Sequence, residues 1–423
     1  MTTNTLQGTK QASRQRQIIT GIVLFVIALL MFVLFARNTQ PGQQATFNLN
    51  TGDTSEGTIV IPDLVLPVQP SLYALIAVTV FLAGWQLARG IRSLGLLVGF
   101  IAFAFIASFL IWATKDQAFN LVGMMSSSLI SATPIALAAL CGVISERAAV
   151  VNIAIEGIML LSAQAGVVSA TITHNLWVGL IVAILTGGLI AGIHALLVIR
   201  FKVDQIISGV AINIFGTGAT SFISSRYLER NIDGLNNSGT FANISIPILS
   251  KIPILGPVFF QNNIIIYLMI ILVVVIHILL FYTPWGLRTR AVGEHPKAAD
   301  TLGINVYMMR YVNVIIGGMI AGLGGAYFTV GSVGRFDQDM TAGKGFIGLA
   351  AMIFGKWTPI GAFASSLIFG FADSIQVKMQ ILGINIPSEF LQMAPYIVTM
   401  IVLTGLIGRA IPPAADGTAY EKQ

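Results

Sequence analysis

Residues 18–36 read IITGIVLFVIALLMFVLFA, an uncharged and almost wholly apolar run. A helix of about 20 such residues spans the ~30 Å hydrocarbon core of a bilayer. Runs of this kind recur along the chain, in which 55% of the 423 residues are apolar and only 9% are charged. Soluble domains carry roughly 25% charged residues. The sequence therefore predicts an all-α integral membrane protein.

The uncharged runs predict about ten to twelve transmembrane helices. The runs are long and do not alternate between apolar and polar residues, which excludes a β-barrel. After 18–36 the predicted spans are 71–88, 93–114, 119–145 with a break at Pro134, 148–173, 175–199, 205–225, 262–283, 311–334 and 390–408. Two shorter runs, 345–355 and 357–372, predict a short or re-entrant hairpin. The patterns Gly188 to Gly192 and Gly318 to Gly322 predict closely packed helices.

The charged residues between the predicted spans indicate which side of the membrane each loop faces. With the N-terminus in the cytoplasm, most of the 23 Lys and Arg residues lie on the cytoplasmic side, as the positive-inside rule expects. Two segments then lie outside, 37–70 and 226–261, and both are rich in Asn, Gly, Ser, Thr and Pro. We interpret them as solvated connectors, with a docking surface for an external partner as the alternative.

Catalytic chemistry has little support in the sequence. The four histidines have no metal-ligand spacing, and no local motif combines a nucleophile with a base. The Gly355-Lys356 pair resembles the end of a phosphate-binding loop, but Ala350 replaces its glycine and Trp357 its Ser or Thr. We therefore expect no metal, cofactor or ATP in this chain, and no nucleic-acid partner.

Glu156 is an ionisable residue within a predicted span, where such groups mark a functional path or a buried pair. Asn152 precedes it by four residues, so a continuous helix would place both on one face. One interpretation is a substrate path that includes both side chains. The other is a glutamate buried in helix packing and paired with Arg147.

A second polar stripe follows in the predicted span 205–225. Gln205, Gly209 and Asn213 recur every four residues, and Ser208 lies beside them. Uncharged hydrogen-bonding groups suit the path of a polar, neutral solute, and Gln205, Ser208 and Asn213 are candidate path residues. Interhelical hydrogen bonding explains the same stripe without transport.

The loop 284–303 carries a short predicted helix. Pro296 and Gly303 bracket about two turns, with proline and glycine at their preferred ends. Such a helix is too polar to insert into the bilayer and too short to be stable alone. A partner protein at the membrane face is therefore expected to hold it.

At this loop the sequence resembles the permease subunits of ATP-binding-cassette importers, in the branch for branched-chain amino acids, simple sugars and nucleosides. The matching motifs are GLRTRAVGE at 286–294, SERAAVVNI at 145–153 and GKGFIGLAAMIFGKWTPIG at 343–361. Their details are most similar to those of nucleoside and simple-sugar permeases. The resemblance covers roughly residues 120–410 and leaves the first ~115 residues unmatched.

The resemblance implies a domain order and a set of partners. Residues 1–115 would form an N-terminal extension with about three spans and an external loop, 116–410 the permease domain and 411–423 a cytoplasmic tail. The partners would be two cytoplasmic ATPase subunits that bind ATP and Mg, a second homologous permease and an external substrate-binding (lipo)protein. The expected location is a bacterial cell membrane, and the expected cargo is a nucleoside or simple sugar.

Within this resemblance, the short loop helix would transmit ATPase closure to the permease. The residues implied in coupling are Glu294, His295, Pro296, Ala298, Ala299 and Gly303. An ion-coupled secondary transporter or channel remains the alternative function, although it calls for several ionisable groups within the membrane. A membrane-embedded enzyme is a third alternative, and it lacks a catalytic constellation.

Overall fold

Ten helices in the described part of the chain are long and apolar enough to cross a membrane. The computed structural model describes residues 2–50, 60–91, 94–381, 393 and 410–422. The predicted number of spans is therefore confirmed, while the predicted span 390–408 lies outside the described residues. Of the described residues, those up to 123 together with 252–254 and 377–381 form one compact unit, and the others from 124 onward form a second.

The first unit contains three spanning helices and a small sheet. The helices are α1 (Thr2–Met31, extended by a π-helical turn Phe32–Ala36), α2 (Val68–Arg89) and α3 (Leu94–Ala113). The strands are β1 (Gln44–Asn48), β2 (Leu64–Pro67) and β3 (Ala118–Asn120), and β1 pairs antiparallel with β2 and parallel with β3. Part of the segment 37–70 is therefore ordered strand, because the backbone of 44–48 and 64–67 is paired in this sheet, and its role as a connector or a docking surface stays a prediction.

The second unit contains the remaining helices. They are α4 (Leu121–Arg147), α5 (Ile155–Thr173), α6 (Leu176–Ala195), α7 (Gln205–Ile223), α8 (Ile232–Leu235), α9 (Leu255–Phe259), α10 (Ile264–Tyr282), α11 (Pro284–Glu294), α12 (Pro296–Thr301), α13 (Val306–Phe328), α14 (Lys344–Phe354) and α15 (Pro359–Ile381). Helices α6, α7 and α13 continue into π-helical turns at Leu196–Arg200, Ser224–Leu228 and Thr329–Val333. A two-stranded antiparallel pair joins β4 (Ile244–Ser245) to β5 (Gln261–Asn262).

Two predicted boundaries in this unit were wrong. Helix α4 runs unbroken through Pro134, since neighbouring helices and local side chains satisfy the backbone groups that a proline frees within a membrane. Helix α5 begins at Ile155, and the segment 148–154 before it is not helical. Ala149 in this segment has a positive φ of 63°, which ends α4.

The predicted hairpin is asymmetric. Helix α14 has 11 residues and rises about 16 Å, which is too short to cross the bilayer. Helix α15 has 23 residues and is long enough to cross. Between them, Lys356 and Trp357 both have positive φ, at 55° and 52°, and form the tight turn. The hairpin thus pairs one short helix with one spanning helix.

The centre of the second unit is the close contact of α5, α6 and α13. A methyl group added at Gly187 of α6 would lie 2.3 Å from the carbonyl oxygen of Gly318 in α13, and one at Gly322 would lie 2.5 Å from that of Ala183. Helix backbones approach this closely only where side chains are absent. The small-residue pattern at Gly318 to Gly322 is therefore a packing feature, as predicted.

We expect Gly187→Ala to lower the melting temperature of the purified protein, because overpacking a tight contact costs about 1–3 kcal/mol. Gly192→Ala on the same helix is the control, since its added methyl group would meet Ile315 at an ordinary 3.8 Å. The control should be neutral or slightly stabilising. Fluorescence-detected size exclusion after heating measures both, and equal melting temperatures would contradict this account of the contact.

Candidate functional site

The non-helical segment 148–154 is held by side chains from α6 and α7. The Val151 N–H donates to Oε1 of Gln205 at 2.7 Å, and the Val151 carbonyl lies 3.0 Å from Nε2 of His194. The other ring nitrogen of His194 lies 3.0 Å from the Ser208 hydroxyl. These bonds satisfy backbone groups that a broken helix leaves unpaired inside a membrane protein.

Asn213 extends this set of bonds two turns further along α7. Its Nδ2 donates to the Ile153 carbonyl at 2.8 Å, and its Oδ1 accepts from the Gly157 N–H at 2.8 Å. The stripe of Gln205, Ser208 and Asn213 thus makes the interhelical bonds that were one of its two interpretations. A role of these residues in the substrate path stays a prediction.

Asn152 and Glu156 do not share a helix face, because α5 begins only at Ile155. That inference from spacing was wrong. Asn152 is fully buried beside Cys141, with Nδ2 3.5 Å from the sulfur, and its Oδ1 has no hydrogen-bond partner among the described residues. Its role in the path stays a prediction.

The carboxylate of Glu156 joins the starts of α5 and α14. It accepts from the Thr341 hydroxyl at 2.5 Å, the Gly343 N–H at 2.9 Å and the Gly345 N–H at 2.7 Å. The side chain is buried, and it lies in the first turn of α5 and at the N-terminus of α14. A negative charge is favoured at both positions by the helix dipoles and the free N–H groups.

Glycine is required at two positions around this carboxylate. A methyl group at Gly345 would lie 2.6 Å from Oε2 of Glu156, and Gly343 has a φ of 76°. Gly343 thus precedes α14 in the left-handed conformation, and Gly345 leaves the space that the carboxylate occupies.

Arg147 does not pair with Glu156, so the predicted pairing was wrong, whereas the predicted burial of Glu156 in helix packing is observed. Its Nε donates to the Trp357 carbonyl at 2.8 Å and its Nη2 to the Lys356 carbonyl at 3.3 Å. The indole Nε1 of Trp357 in turn donates to Oε2 of Glu146 at 2.5 Å. Arg147 and Glu146 therefore fasten the turn between α14 and α15 to the end of α4.

The position of Glu156 along the spans follows from helix geometry. Its neighbour Gly157 bonds to Asn213, which lies eight residues and about 12 Å along α7. A spanning helix crosses ~30 Å of hydrocarbon. The carboxylate and the N-terminus of α14 are therefore deep within the spans.

An ion pair that the sequence analysis missed lies on the same short helix. Lys344 begins α14, and its Nζ contacts Oδ2 of Asp373 in α15. The side chains keep 17% and 22% of their surface exposed. Asp373 was detectable as a carboxylate in an apolar helix, but the predicted run ended one residue earlier, at Ala372.

The loop between α10 and α13 forms the predicted short helix. Pro296 is the first residue of α12, and Nδ1 of His295 accepts from the Ala298 N–H at 3.2 Å as its N-terminal cap. Ala299 is buried, whereas Glu294, His295, Ala298 and Gly303 are exposed. Leu302 is 81% exposed. The helix thus has one face packed on the protein and one open face.

Residues 410–422 are bound against this loop rather than extended. The Ala415 N–H donates to the Gly293 carbonyl at 2.9 Å, and the Ala414 N–H to Oε2 of Glu294 at 3.2 Å. Nη1 of Arg310 donates to the Thr418 carbonyl at 2.9 Å. Tyr420 packs in an apolar cluster with Val292, Ala299 and Val306. Lys202 and Glu421 form an ion pair, with Nζ 2.5 Å from Oε1.

Asp416 lies in this tail beside Glu146 and Arg310. Burial raises the pKa of its carboxyl group from 3.8 to about 6. Partial removal from water favours the neutral form of this carboxyl group. Protonation of Asp416 therefore favours binding of residues 410–422 to the rest of the protein.

Residues 124–411 match the family described as the permease component of branched-chain amino acid transport systems. The chain belongs to this permease family. It is 43% identical over 311 residues to the guanosine ABC transporter permease protein NupQ of Bacillus subtilis, with 71% of this chain and 96% of NupQ covered. No solved structure matches the chain significantly.

Two further relatives support the assignment. The nucleoside ABC transporter permease protein NupC of Lactococcus lactis is 41% identical over 308 residues, covering 71% of this chain and 96% of NupC. The putative glucose ABC transporter permease protein TsgC13 of Haloferax volcanii is 35% identical over 266 residues, covering 62% and 79%. The chain is thus a multi-pass permease subunit of an ATP-binding-cassette importer, a transport component rather than an enzyme or an ion-coupled transporter.

We expect Glu156→Gln to reduce both thermal stability and transport. The amide keeps one acceptor oxygen but turns an NH₂ group toward the backbone N–H groups of α14, and an unsatisfied buried group costs about 1–3 kcal/mol. Glu229→Gln is the control, because Glu229 accepts one exposed bond, from Gln338. Melting curves and uptake assays that do not distinguish the two variants would contradict the role assigned to Glu156.

Asp416 should make stability depend on pH. Its folded pKa of about 6 exceeds the unfolded value of 3.8, so its favourable contribution is complete below pH 3.8 and is lost as the pH rises through 6. We expect Asp416→Asn, which mimics the protonated acid, to gain melting temperature over the unmodified protein between pH 5 and 7.5. Glu421→Gln is the control, since Lys202 lowers the pKa of the exposed Glu421. A pH-independent difference for Asp416→Asn would contradict the linkage.

Proposed function

We propose that this permease moves neutral, polyhydroxylated solutes, nucleosides first and simple sugars second, into a bacterial cell across the plasma membrane. The observation that carries the proposal is the 43% identity to a guanosine permease over 96% of that protein's length. The relative named for glucose supports the wider class. The site agrees with a neutral cargo, because the buried carboxylate of Glu156 is already bonded to three donors of its own chain.

The proposed complex contains a second homologous permease, two cytoplasmic ATPase subunits and an external substrate-binding (lipo)protein. ATP and Mg would bind to the ATPase subunits. We propose the open face of α12 as the ATPase contact, since His295 and Ala298 are exposed on an element too short to be stable alone. Glu294 would contribute by holding the tail, and Pro296, Ala299 and Gly303 by shaping and seating the helix.

Movement at α12 has a direct connection to the spans. Gly293 lies at the end of α11, and a methyl group there would come within 2.3 Å of the Arg147 carbonyl at the end of α4. Arg147 and Glu146 then bond the turn that follows α14. We propose that ATPase closure displaces α12, α4 and the α14–α15 hairpin together, and thereby the Glu156 contact.

The proposed coupling is tested with Ala298→Pro in the reconstituted complex. Proline removes the N–H that His295 caps, so we expect α12 to lose its first turn and ATP-driven guanosine uptake to fall at least tenfold while ATP hydrolysis continues. Ala298→Ser keeps the N–H and is the control. Normal uptake by the proline variant would contradict the coupling role.

The proposed cargo is tested in the same vesicles. Radiolabelled guanosine should accumulate only with ATP, and unlabelled nucleosides should compete better than branched-chain amino acids. Accumulation that requires an ion gradient and persists without ATP would overturn the proposal.

A further inference from the structure

We infer that the Lys344–Asp373 pair is a contact site for vicinal hydroxyl groups on the translocation path. This inference rests on the proposed function, because it names the part of the solute that the path recognises. It assigns a recognition role to two residues on the α14–α15 hairpin.

The pair lies at the depth of the Glu156 carboxylate. The backbone N–H groups on both sides of Lys344, those of Gly343 and Gly345, donate to Glu156. The ammonium group of Lys344 contacts Asp373 of the spanning helix α15. Two opposite charges are thus placed together where charged groups are rare and costly.

The partly exposed side of this pair is unsuited to lipid. The two side chains keep 17% and 22% of their surface open, and they belong to helices of the second unit. Contact of ionised groups with hydrocarbon is strongly unfavourable, so such residues face water, a partner subunit or a polar cavity. The open side of the pair therefore faces an aqueous path or the second permease.

The pair is not needed to fasten the hairpin. Helix α14 already packs against α4, where a methyl group at Gly348 would lie 2.4 Å from Cβ of Ala138. Helix α15 packs on the same helix, with Gly370 against the Ser128 carbonyl and the Ser374 hydroxyl donating to the Met124 carbonyl at 3.1 Å. A role as a structural clamp alone leaves the cost of two charges unexplained.

The chemistry of the pair suits a diol. An ammonium group has three donors and a carboxylate about four acceptor sites, and their mutual contact leaves most of these unused. A vicinal diol offers two O–H donors to the carboxylate and two oxygen acceptors to the ammonium group. Guanosine and glucose, the solutes named for the relatives, are both uncharged and both carry such hydroxyls.

Glu156 is the other carboxylate at this depth, and it is less suited to this role. It is only 7% exposed, and three donors of its own chain occupy it. The Lys344–Asp373 pair has both free hydrogen-bonding capacity and an open side. The two carboxylates therefore have different roles: Glu156 positions the helices, and Asp373 contacts the solute.

The test compares guanosine with 2′,3′-dideoxyguanosine, which lacks both ribose hydroxyls, as cargo of the complete reconstituted complex. We expect Asp373→Asn to lower the ratio of guanosine to dideoxyguanosine uptake about tenfold, since sites that bind a hydroxyl discriminate strongly against its absence. The same binding protein is present throughout, so a change in the ratio reports on the permease. Asp337→Asn, which alters an exposed carboxylate, is the control.

The outcomes separate the two proposals. If the unmodified complex takes up no nucleoside, the proposed function fails. If it transports guanosine and Asp373→Asn slows both solutes equally or changes neither, the hydroxyl-contact inference is overturned while the function stands. Should Asp373→Asn not reach the membrane, Lys344→Gln and Asp373→Glu replace it, and an unchanged ratio in both overturns the inference.

Discussion

The second unit depends on one buried carboxylate. Glu156 accepts three hydrogen bonds from residues 341–345 and so holds the first turn of α5 against the start of α14. Both helices begin inside the spans, and a helix that begins there exposes unpaired N–H groups that no water can satisfy. Asn213 accepts from the Gly157 N–H at the start of α5, and the Glu156 carboxylate accepts from the N–H groups of Gly343 and Gly345 at the start of α14. Removing it would leave two broken helices without a shared anchor.

The same requirement explains the polar side chains around the break before α5. Gln205, His194 and Asn213 bond to backbone groups between Val151 and Gly157. They occupy the positions where water would bind the peptide in a soluble protein. Polar residues within the spans therefore have two different roles. Gln205, His194 and Asn213 complete the hydrogen bonding of irregular backbone, whereas we propose that the partly open Lys344–Asp373 pair contacts the solute.

The loop that carries α12 depends on a similar principle. Helix α12 has six residues and is too short to be stable alone, and the tail at 410–422 packs against the loop that carries it. The family match ends at residue 411, so most of this tail lies beyond it. The half-buried Asp416 in the tail lies beside Glu146 at the end of α4 and Arg310 in α13, next to the spanning helices.

The sequence alone determined the membrane class, the approximate positions of the described spans, the short helix α12 and the family, because hydropathy, proline and glycine positions and local motifs are properties of contiguous residues. It did not determine which polar groups meet. Asn152 and Glu156 were placed on one face because the predicted span began at 148, and no local signal marks the actual start of α5 at Ile155. The bonds from Glu156 to Gly343 and from Lys344 to Asp373 join residues distant in the chain, and only tertiary packing brings them together.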